Sequence, residues 1–394
     1  MQATTTIHVT LSGDVYLKSR RTQKRLIKRV RTNLDRAVRG VGYVGALKRI
    51  GMHRFELEPS DEMLGAVRDA ALSVFGISSV DTVREIAFED IEHLADTAAE
   101  LSVDEVRGRT FAVRVKRTGA HDWNSMDLAR AIGSNLHAAS AGVDLTSPDV
   151  EVRLTVLDEQ AFLVQDHRRA MGGLPLGTQD PVLCLVSGGF DSVVAAWMMM
   201  SRGCPVDFVH FSLNCAQSDH ALAVARELWT RWGHGTEPTV HLVEFEPVKD
   251  ALFEHADPRM RQIALKVMMA RAASEIAVSE GITALVTGDA LGQVSSQTLP
   301  HLVAVSKSCE TPVLRPLLGL PKESIIDLAR TVGTAELSAR AQEVCDLSEG
   351  GRVATAASEQ AISRTVNRIP DDVLRDVLAT RKSFALRDWS PGQL

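Results

Sequence analysis

The start of the chain, MQATTTIHVT, lacks the basic segment and following apolar run of an export signal, and no stretch approaches the roughly 18 uncharged apolar residues of a membrane span. These absences lead us to expect a soluble, cytoplasmic protein with no membrane partner. Cysteine is scarce and scattered: Cys184, Cys204, Cys215, Cys309 and Cys345 are odd in number and contain no C-x-x-C pair. That argues against a disulfide scaffold and against zinc or an iron–sulfur cluster built on paired cysteines. There is no G-x-x-x-x-G-K-[ST] string, so the lysine that grips β- and γ-phosphates in a Walker loop is missing and terminal phosphoryl transfer is disfavoured. Internal repeats and low-complexity tracts are lacking too. What remains is a globular composition, 394 residues with 45% hydrophobic and 24% charged, long enough for two or three domains.

Net charge is only -6, but its distribution is uneven. Residues 1–54 hold 13 Lys and Arg against 2 acids, residues 61–105 hold 12 acids against 2 Arg, and residues 107–117 hold 5 basic residues and no acid. A charge run is usually a solvated face; two segregated basic runs on an acidic chain point instead to a polyanion.

The apolar periodicity predicts a strand at 5–11, a basic helix over about 19–39, a strand near 52–57, a helix from Asp61 and a strand ending near Phe88. Residues 1–88 are therefore expected to form a small α+β domain. A second domain over 89–171 should contain the strand 111–116, a helix beginning after Ser125 and the strand 150–157. The Gly/Pro-rich stretch GGLPLGTQD, 172–180, is expected as a linker. From 181 to 394 short apolar strands (PVLCLV, VDFVHFSL, TVHLVEF, ITALVTG) alternate with helices, the βαβ rhythm of a doubly wound parallel α/β sheet whose ligands bind at the carboxyl ends of the strands.

The strongest chemical signal is Ser187-Gly188-Gly189-Phe190-Asp191-Ser192, placed between the strand PVLCLV and the helix VVAAWMMM. Adjacent glycines let the backbone turn its N–H groups onto an anion, and the helix N-terminus adds a favourable dipole. Ser187 and Ser192 can donate hydrogen bonds, and Asp191 could hold Mg2+. The string Gly40-Val-Gly42-Tyr-Val-Gly45 also matches G-x-G-x-x-G, but it follows a basic helix and not a strand, so it reads as a bend.

The SGGxDS string resembles the PP-loop of ATP pyrophosphatases, which cleave ATP between the α and β phosphates. Together with LVSGGFDSVVAAWMMMSRG, ALKVMMARAAS, ALVTGDALGQVSSQT, PVLRPLLGLPKESIIDLAR and, upstream, FAVRVKRTGAHDWNSMDLAR, it makes the chain resemble the ThiI family of tRNA 4-thiouridine synthetases. The resemblance implies a ferredoxin-like domain, a THUMP domain for RNA and a PP-loop domain of the adenine nucleotide alpha hydrolase-like class, in that order. It implies ATP with Mg2+, tRNA as the partner, and adenylation of a uridine O4 before sulfur replaces it. By the same resemblance, ATP contacts fall on Leu185, Val186, Ser187, Gly188, Gly189, Asp191, Ser192, Lys266, Gly288 and Gln297. Lys266 lies in an otherwise apolar helical stretch, where a cation snorkels or pairs. Gly288 ends a strand and would let a nucleotide pass close, and Asp289 and Gln297 would orient ribose, base or metal. Lys322 would stabilise charge on the α-phosphate, alongside Asp191.

Cys345 matches the cysteine that takes part in the family's sulfur transfer, although its neighbours Glu343 and Asp346 oppose thiolate formation. With no rhodanese segment before Leu394, sulfur is expected from a separate cysteine desulfurase or rhodanese, and a role in thiamine thiazole synthesis is put in doubt. The RNA contacts are expected on Lys18, Arg20, Arg21, Lys24, Arg25, Lys28 and Arg29 of the basic helix and on Arg114, Lys116 and Arg117 of the strand FAVRVKR. A homodimer is left open. Two other readings are carried: a PP-loop tRNA-modifying enzyme with a non-sulfur nucleophile, and an RNA-binding protein whose sulfur chemistry has decayed.

Overall fold

The computed structural model of the chain describes residues 5–213, 215–341, 347 and 353–392, with the side chains of 215–217 left aside. The chain divides into two compact units, Met1–Gly173 and Leu174–Leu394.

The first unit contains strands β1 (Thr5–Leu11), β2 (Lys48–Ile50), β3 (Arg54–Leu57), β4 (Ile77–Ile86), β5 (Thr110–Thr118), β6 (Gly142–Val143), β7 (Val150–Leu157) and β8 (Gln160–Gly172). Its helices are α1 (Gly13–Tyr16), α2 (Arg20–Gly40), α3 (Asp61–Leu72), α4 (Ile91–Val106) and α5 (Ser125–His137). Helix α2 forms because Leu26, Ile27, Val30, Leu34, Ala37 and Val38 recur at helical spacing and are buried as one stripe. Helix α4 starts where the Asp90 side chain accepts from the His93 amide. At α5, Asn124 and Asp127 form a reciprocal capping box. Gly40 is the last residue of α2 and Gly42 takes φ +91°, so the glycine triplet makes a bend after a helix.

All eight strands join one sheet in the order β2-β3-β1-β4-β8-β7-β5-β6. The expected division at 88/89 is therefore crossed by a continuous ladder, because β8 pairs with β4 from Ile77↔Gly172 to Ile86↔Ala161 and with β7 from Arg153↔Val164 to Leu157↔Gln160. Under it, Leu94, Ala98, Phe111, Leu128, Ile132, Leu136 and Val152 pack as one cluster.

The second unit contains β9 (Val182–Leu185), β10 (Val206–Ser212), β11 (Thr239–Glu244), β12 (Leu285–Val286), β13 (Val313–Leu314) and β14 (Lys382–Ala385). Its helices are α6 (Phe190–Ser201), α7 (Cys215–Trp232), α8 (Glu246–His255), α9 (Arg261–Ser279), α10 (Leu299–Lys307), α11 (Lys322–Val332), α12 (Ala335–Ser338), α13 (Glu359–Val366) and α14 (Asp371–Ala379). Strand order is β13-β12-β9-β10-β11-β14. The first five run parallel, as the βαβ rhythm predicts, and β14 closes the β11 edge antiparallel. Strands β9, β10 and β11 progress to one side, and the chain then returns across β9 to place β12 and β13 on the other. The reversal falls between β9 and β12, the topological switch point at which such sheets bind ligands.

The segment expected as a linker differs from that expectation. Gly172 is still in β8, and the amides of Gly177, Thr178 and Gln179 all donate to the Gly203 carbonyl at 2.9–3.1 Å. Gly203 itself takes φ +92°, and a Cβ there would sit 2.5 Å from Thr178 Oγ1. The Gly/Pro composition thus serves a docked turn.

Candidate active site

The loop Ser187–Ser192 leaves β9 at the switch point and enters α6. Gly188 takes φ +80°, and a Cβ on it would meet the His220 ring at 2.8 Å and the Ala221 Cα at 3.1 Å, so only glycine fits. Gly189 is the N-cap residue of α6 and has no side chain with which to cap that helix. Its first-turn amides are therefore available to an anion, reinforced by the dipole. The Ser192 hydroxyl lies 3.3 Å from the Ser187 amide, which donates to it, and 3.3 Å from the Gly189 carbonyl, which accepts from it. This bond pair closes the loop on itself. Leu185 ends β9 half-buried, and Val186 is buried.

Gly288 follows β12 on the neighbouring strand. A Cβ there would lie 2.6 Å from the Asp191 carbonyl carbon and the Ser192 amide nitrogen. The space that its missing side chain leaves is thus used by the chain's own first helical turn, a tighter constraint than the nucleotide clearance expected from sequence.

Two carboxylates organise the cations. Lys322 Nζ, at the start of α11, donates to both Asp191 oxygens at 2.8 and 3.0 Å, and Gln293 Nε2 adds a third contact at 2.9 Å. The Lys322 ammonium also lies 5.7 Å from the Phe190 ring centre. Asp289 is buried and accepts from Lys266 Nζ at 3.1 Å, Gln297 Nε2 at 3.4 Å, Thr287 Oγ1 at 2.8 Å and Arg315 Nε at 3.3 Å. Burial alone would raise its pKa, but Lys266, Thr287 and Arg315 outweigh it and hold the carboxyl below the ordinary value. Lys266 is accordingly a paired cation, the alternative to snorkelling that its apolar surroundings left open.

Some functional candidates escaped sequence reading. Arg315 and Gln293 lie inside quoted strings, but nothing local marks them as partners of acids 26 and 102 positions away. His210 on β10 donates from Nδ1 to the Val186 carbonyl at 2.8 Å. Because a carbonyl only accepts, Nε2 is left as the lone-pair nitrogen, and it is buried without a hydrogen-bond partner among the described residues. Burial keeps this imidazole neutral by lowering its pKa. Gln297 Oε1 is likewise buried and unpartnered among the described residues. Orphaned buried acceptors beside a phosphate-type loop suit a ligand that brings its own donors, as an adenine or a ribose does.

Cys345, Glu343 and Asp346 lie outside the described residues. Burial pushes the Cys184 thiol up to about 12 and raises the thiols of Cys204 and Cys309, in keeping with inert structural cysteines. Among the described residues no cluster of three or more His, Cys, Asp or Glu gathers for a metal, and no helix is long and apolar enough to cross a membrane.

In the first unit, Lys18, Arg20, Arg21, Lys24, Arg25 and Lys28 are exposed along and just before α2, and Arg29 is half-buried. Lys116 is exposed on β5. Arg114 and Arg117 of the same strand make internal contacts. Arg114 donates to Glu151 at 3.3 Å and to the Leu145 carbonyl at 2.6 Å, while Arg117 contacts the Gly119 carbonyl at 3.0 Å and His121 at 2.8 Å and covers the Trp123 ring.

Comparison with known proteins agrees with this architecture. The ThiI family model, described as thiamine biosynthesis protein (ThiI), matches residues 177–369, and the THUMP domain model matches residues 86–166. A tRNA sulfurtransferase of Desulfurococcus amylolyticus is 37% identical over 364 residues, covering 92% of this chain and 74% of the relative. That of Escherichia coli is 39% identical over 341 residues, covering 86% and 70%. Among solved structures, a 4-thiouridine synthetase in complex with RNA and ATP matches with TM-score 0.77 at 23% identity, covering 97% of this chain and 99% of that one. A Pyrococcus horikoshii protein matches with TM-score 0.58 at 19% identity, covering 84% and 99%. At these identities the two structures speak for the fold.

Proposed function

The chain belongs to the ThiI family, and on that premise we propose that it is a tRNA sulfurtransferase that adenylates a uridine O4 with ATP and replaces that oxygen by sulfur to give 4-thiouridine. The observation that carries this reading is the Ser187–Ser192 loop at the switch point of a parallel sheet, with α6 and its glycine N-cap behind it and no Walker lysine. Such a loop holds a pyrophosphate through backbone amides, which suits cleavage between the α and β phosphates.

The uridine O4 attacks the α-phosphorus, the bond to the β-phosphate oxygen breaks, and pyrophosphate leaves. The Gly188, Gly189 and α6 amides receive the departing negative charge. Lys322 and Lys266 add positive charge, each oriented by a carboxylate, Asp191 for one and Asp289 for the other. Val186, Gly288 and Gln297 line the nucleotide side in this reading. Mg2+ bound at Asp191 would neutralise phosphate charge while that carboxylate holds Lys322 in reach. The terminal sulfur of a persulfide then bonds to C4 as AMP departs with the original oxygen, and a second cysteine thiolate attacks the persulfide's carrier sulfur, so that a disulfide forms, the S–S bond breaks and its electron pair stays on the sulfur now held by C4. Cys345 takes part in this transfer, with sulfur delivered by a separate cysteine desulfurase or rhodanese. Exposed α2 cations and Lys116 supply salt-sensitive phosphate contacts to tRNA.

The test uses purified protein with a tRNA transcript, ATP and Mg2+, measuring pyrophosphate, and nucleoside mass spectrometry of tRNA from a strain lacking the enzyme and complemented with it. RNA-dependent pyrophosphate and 4-thiouridine are expected. Absence of pyrophosphate refutes adenylation, and full 4-thiouridine from a Cys345→Ser variant removes the sulfur role.

A further inference from the structure

Asp289 divides its two oxygens between two sets of partners. Oδ1 accepts from Lys266 and Gln297, at 3.1 and 3.4 Å, the pair assigned above to the nucleotide. Oδ2 accepts from Thr287 and Arg315, at 2.8 and 3.3 Å, which that assignment does not use. Arg315, just after β13, is in turn anchored on α10, where Nη1 donates to Ser306 Oγ at 2.8 Å and Nη2 to the Leu302 carbonyl at 3.2 Å. Its fork is therefore fixed at three points. The side chains of Arg315 and Asp289 are only 10% and 11% exposed, whereas that of Lys266 is 28% exposed.

Formal charge explains why one buried carboxylate has two cations. A carboxylate beside Lys266 alone would cancel the ammonium. With Arg315 added, the trio carries one net positive charge. The more exposed member is Lys266, and a lysine that gives Asp289 one of its three N–H donors retains two for another acceptor. An interior carboxylate deprived of a guanidinium would also have to draw the ammonium closer or take up a proton.

We infer that Arg315 is a positioning residue for adenylation: it fixes and neutralises Asp289, so that Lys266 and Gln297 stand in place and the ammonium charge is free for the polyphosphate of ATP. The inference rests on the function proposed above, because it needs Lys266 to face a nucleotide. Arg315 itself touches no reacting atom in this scheme.

The experiment compares full-length wild type with Arg315→Met, Arg315→Lys and the double variant Arg315→Met/Asp289→Asn. ATP affinity is read by calorimetric titration, KM and kcat by RNA-dependent pyrophosphate release, and folding by thermal melting. Arg315→Met should weaken ATP binding about tenfold or more, since the carboxylate now cancels Lys266. Arg315→Lys should lose less, because charge returns without the fork. The double variant should regain much of the affinity, because Lys266 again carries an uncompensated charge, a non-additivity that loss of packing alone would not produce. Wild-type ATP affinity in folded Arg315→Met overturns the inference, as does a folded double variant no better than the single one. Should Arg315→Met not fold, unchanged ATP affinity in Arg315→Lys overturns it. Failure of wild type to release pyrophosphate refutes adenylation, while the ATP titrations still decide the role of Arg315.

Discussion

Replacing Gly288 by alanine tests the site's geometry most directly. The new Cβ would lie 2.6 Å from the Asp191 carbonyl carbon and the Ser192 nitrogen and 2.9 Å from the Asp191 Cβ, where ordinary contact begins at 3.4 Å. The shortfall, 3.4 minus 2.6, is 0.8 Å. Two of these atoms are backbone in the first turn of α6 and cannot rotate aside, so either that turn or the end of β12 must move. Overpacking of this kind costs about 1–3 kcal/mol, and each kcal/mol lowers Tm by about 2–4 °C in a unit of this size. A displacement near 1 Å at a catalytic constellation lowers rates by about 100-fold. Pyrophosphate release should therefore fall by one to two powers of ten, roughly in proportion to that displacement, and Tm should fall with it. Gly65 in α3 is the control, because a Cβ there meets nothing within 4 Å. Alanine at Gly65 should stabilise by about 0.5–1 kcal/mol and leave catalysis alone. A Gly288→Ala enzyme with wild-type rate and Tm refutes the argument. One with a raised KM for ATP but unchanged Tm shows instead that Gly288 clears room for the nucleotide.

Asp191→Asn and Lys322→Met should each lower kcat for pyrophosphate release by about 100-fold or more, while melting shows little change because the Lys322 side chain is 40% exposed; activity retained in either removes that residue from the reaction. Lys24→Ala and Lys28→Ala, on the exposed face of α2, should weaken tRNA binding and each reduce the slope of log K against log salt by about 1, read by filter binding across a salt series; an unchanged slope places the RNA elsewhere. Burial lowers the His8 pKa from 6.5 to about 4, with Arg54 acting in the same direction and Asp81 opposing. The unfolded chain then binds the extra proton between these values, so the stability from neutral His8 is complete above pH 6.5 and is lost as pH falls towards 4. That loss amounts to about 3 kcal/mol, and denaturant unfolding of wild type should be steeper in this pH window than that of His8→Gln; identical pH profiles contradict it.

Elements stabilised locally were legible in the sequence. The β-strand at Val150–Leu157, the start of α3 at Asp61 and the loop before α6 carry their own signals: alternation, an acidic first turn, and a glycine pair between an apolar strand and an apolar helix. What escaped depends on partners distant in sequence. Residues 160–172 form a 13-residue strand with only partial alternation, and besides the adjacent β7 they pair with β4, from Ile77↔Gly172 to Ile86↔Ala161, far earlier in the chain. Residues 174–180 look flexible by composition, yet Gly203 accepts from three of their amides. Strand β14 is a four-residue edge piece whose register on β11 no local pattern announces. Among the proposed site residues, the loop glycines and Lys322 rest on motifs. Arg114 and Arg117 also make internal contacts, to Glu151, the Leu145 carbonyl and His121, that no local pattern announces.

The same limit bears differently on charge in the two units. On α2 the cations lie close together in sequence and most are exposed, so a one-dimensional count approximates the field that a polyanion meets. In the second unit the effective charge is set by cancellation. Asp191 and Asp289 each bind a lysine, and only the arginine on Asp289 leaves that cluster positive. Sequence shows two acids and three bases spread over residues 191 to 322, a span in which many other charges lie. Which bases remain available to phosphate follows only from the 2.8–3.3 Å contacts that pair them. For this reason the Arg315 and Asp289 pair should be tested by restoring net charge as well as by deleting it. Removal of either group alone changes position and charge together, whereas removal of both changes position at nearly constant charge, and the difference between those two losses separates orientation of Lys266 from its electrostatic effect.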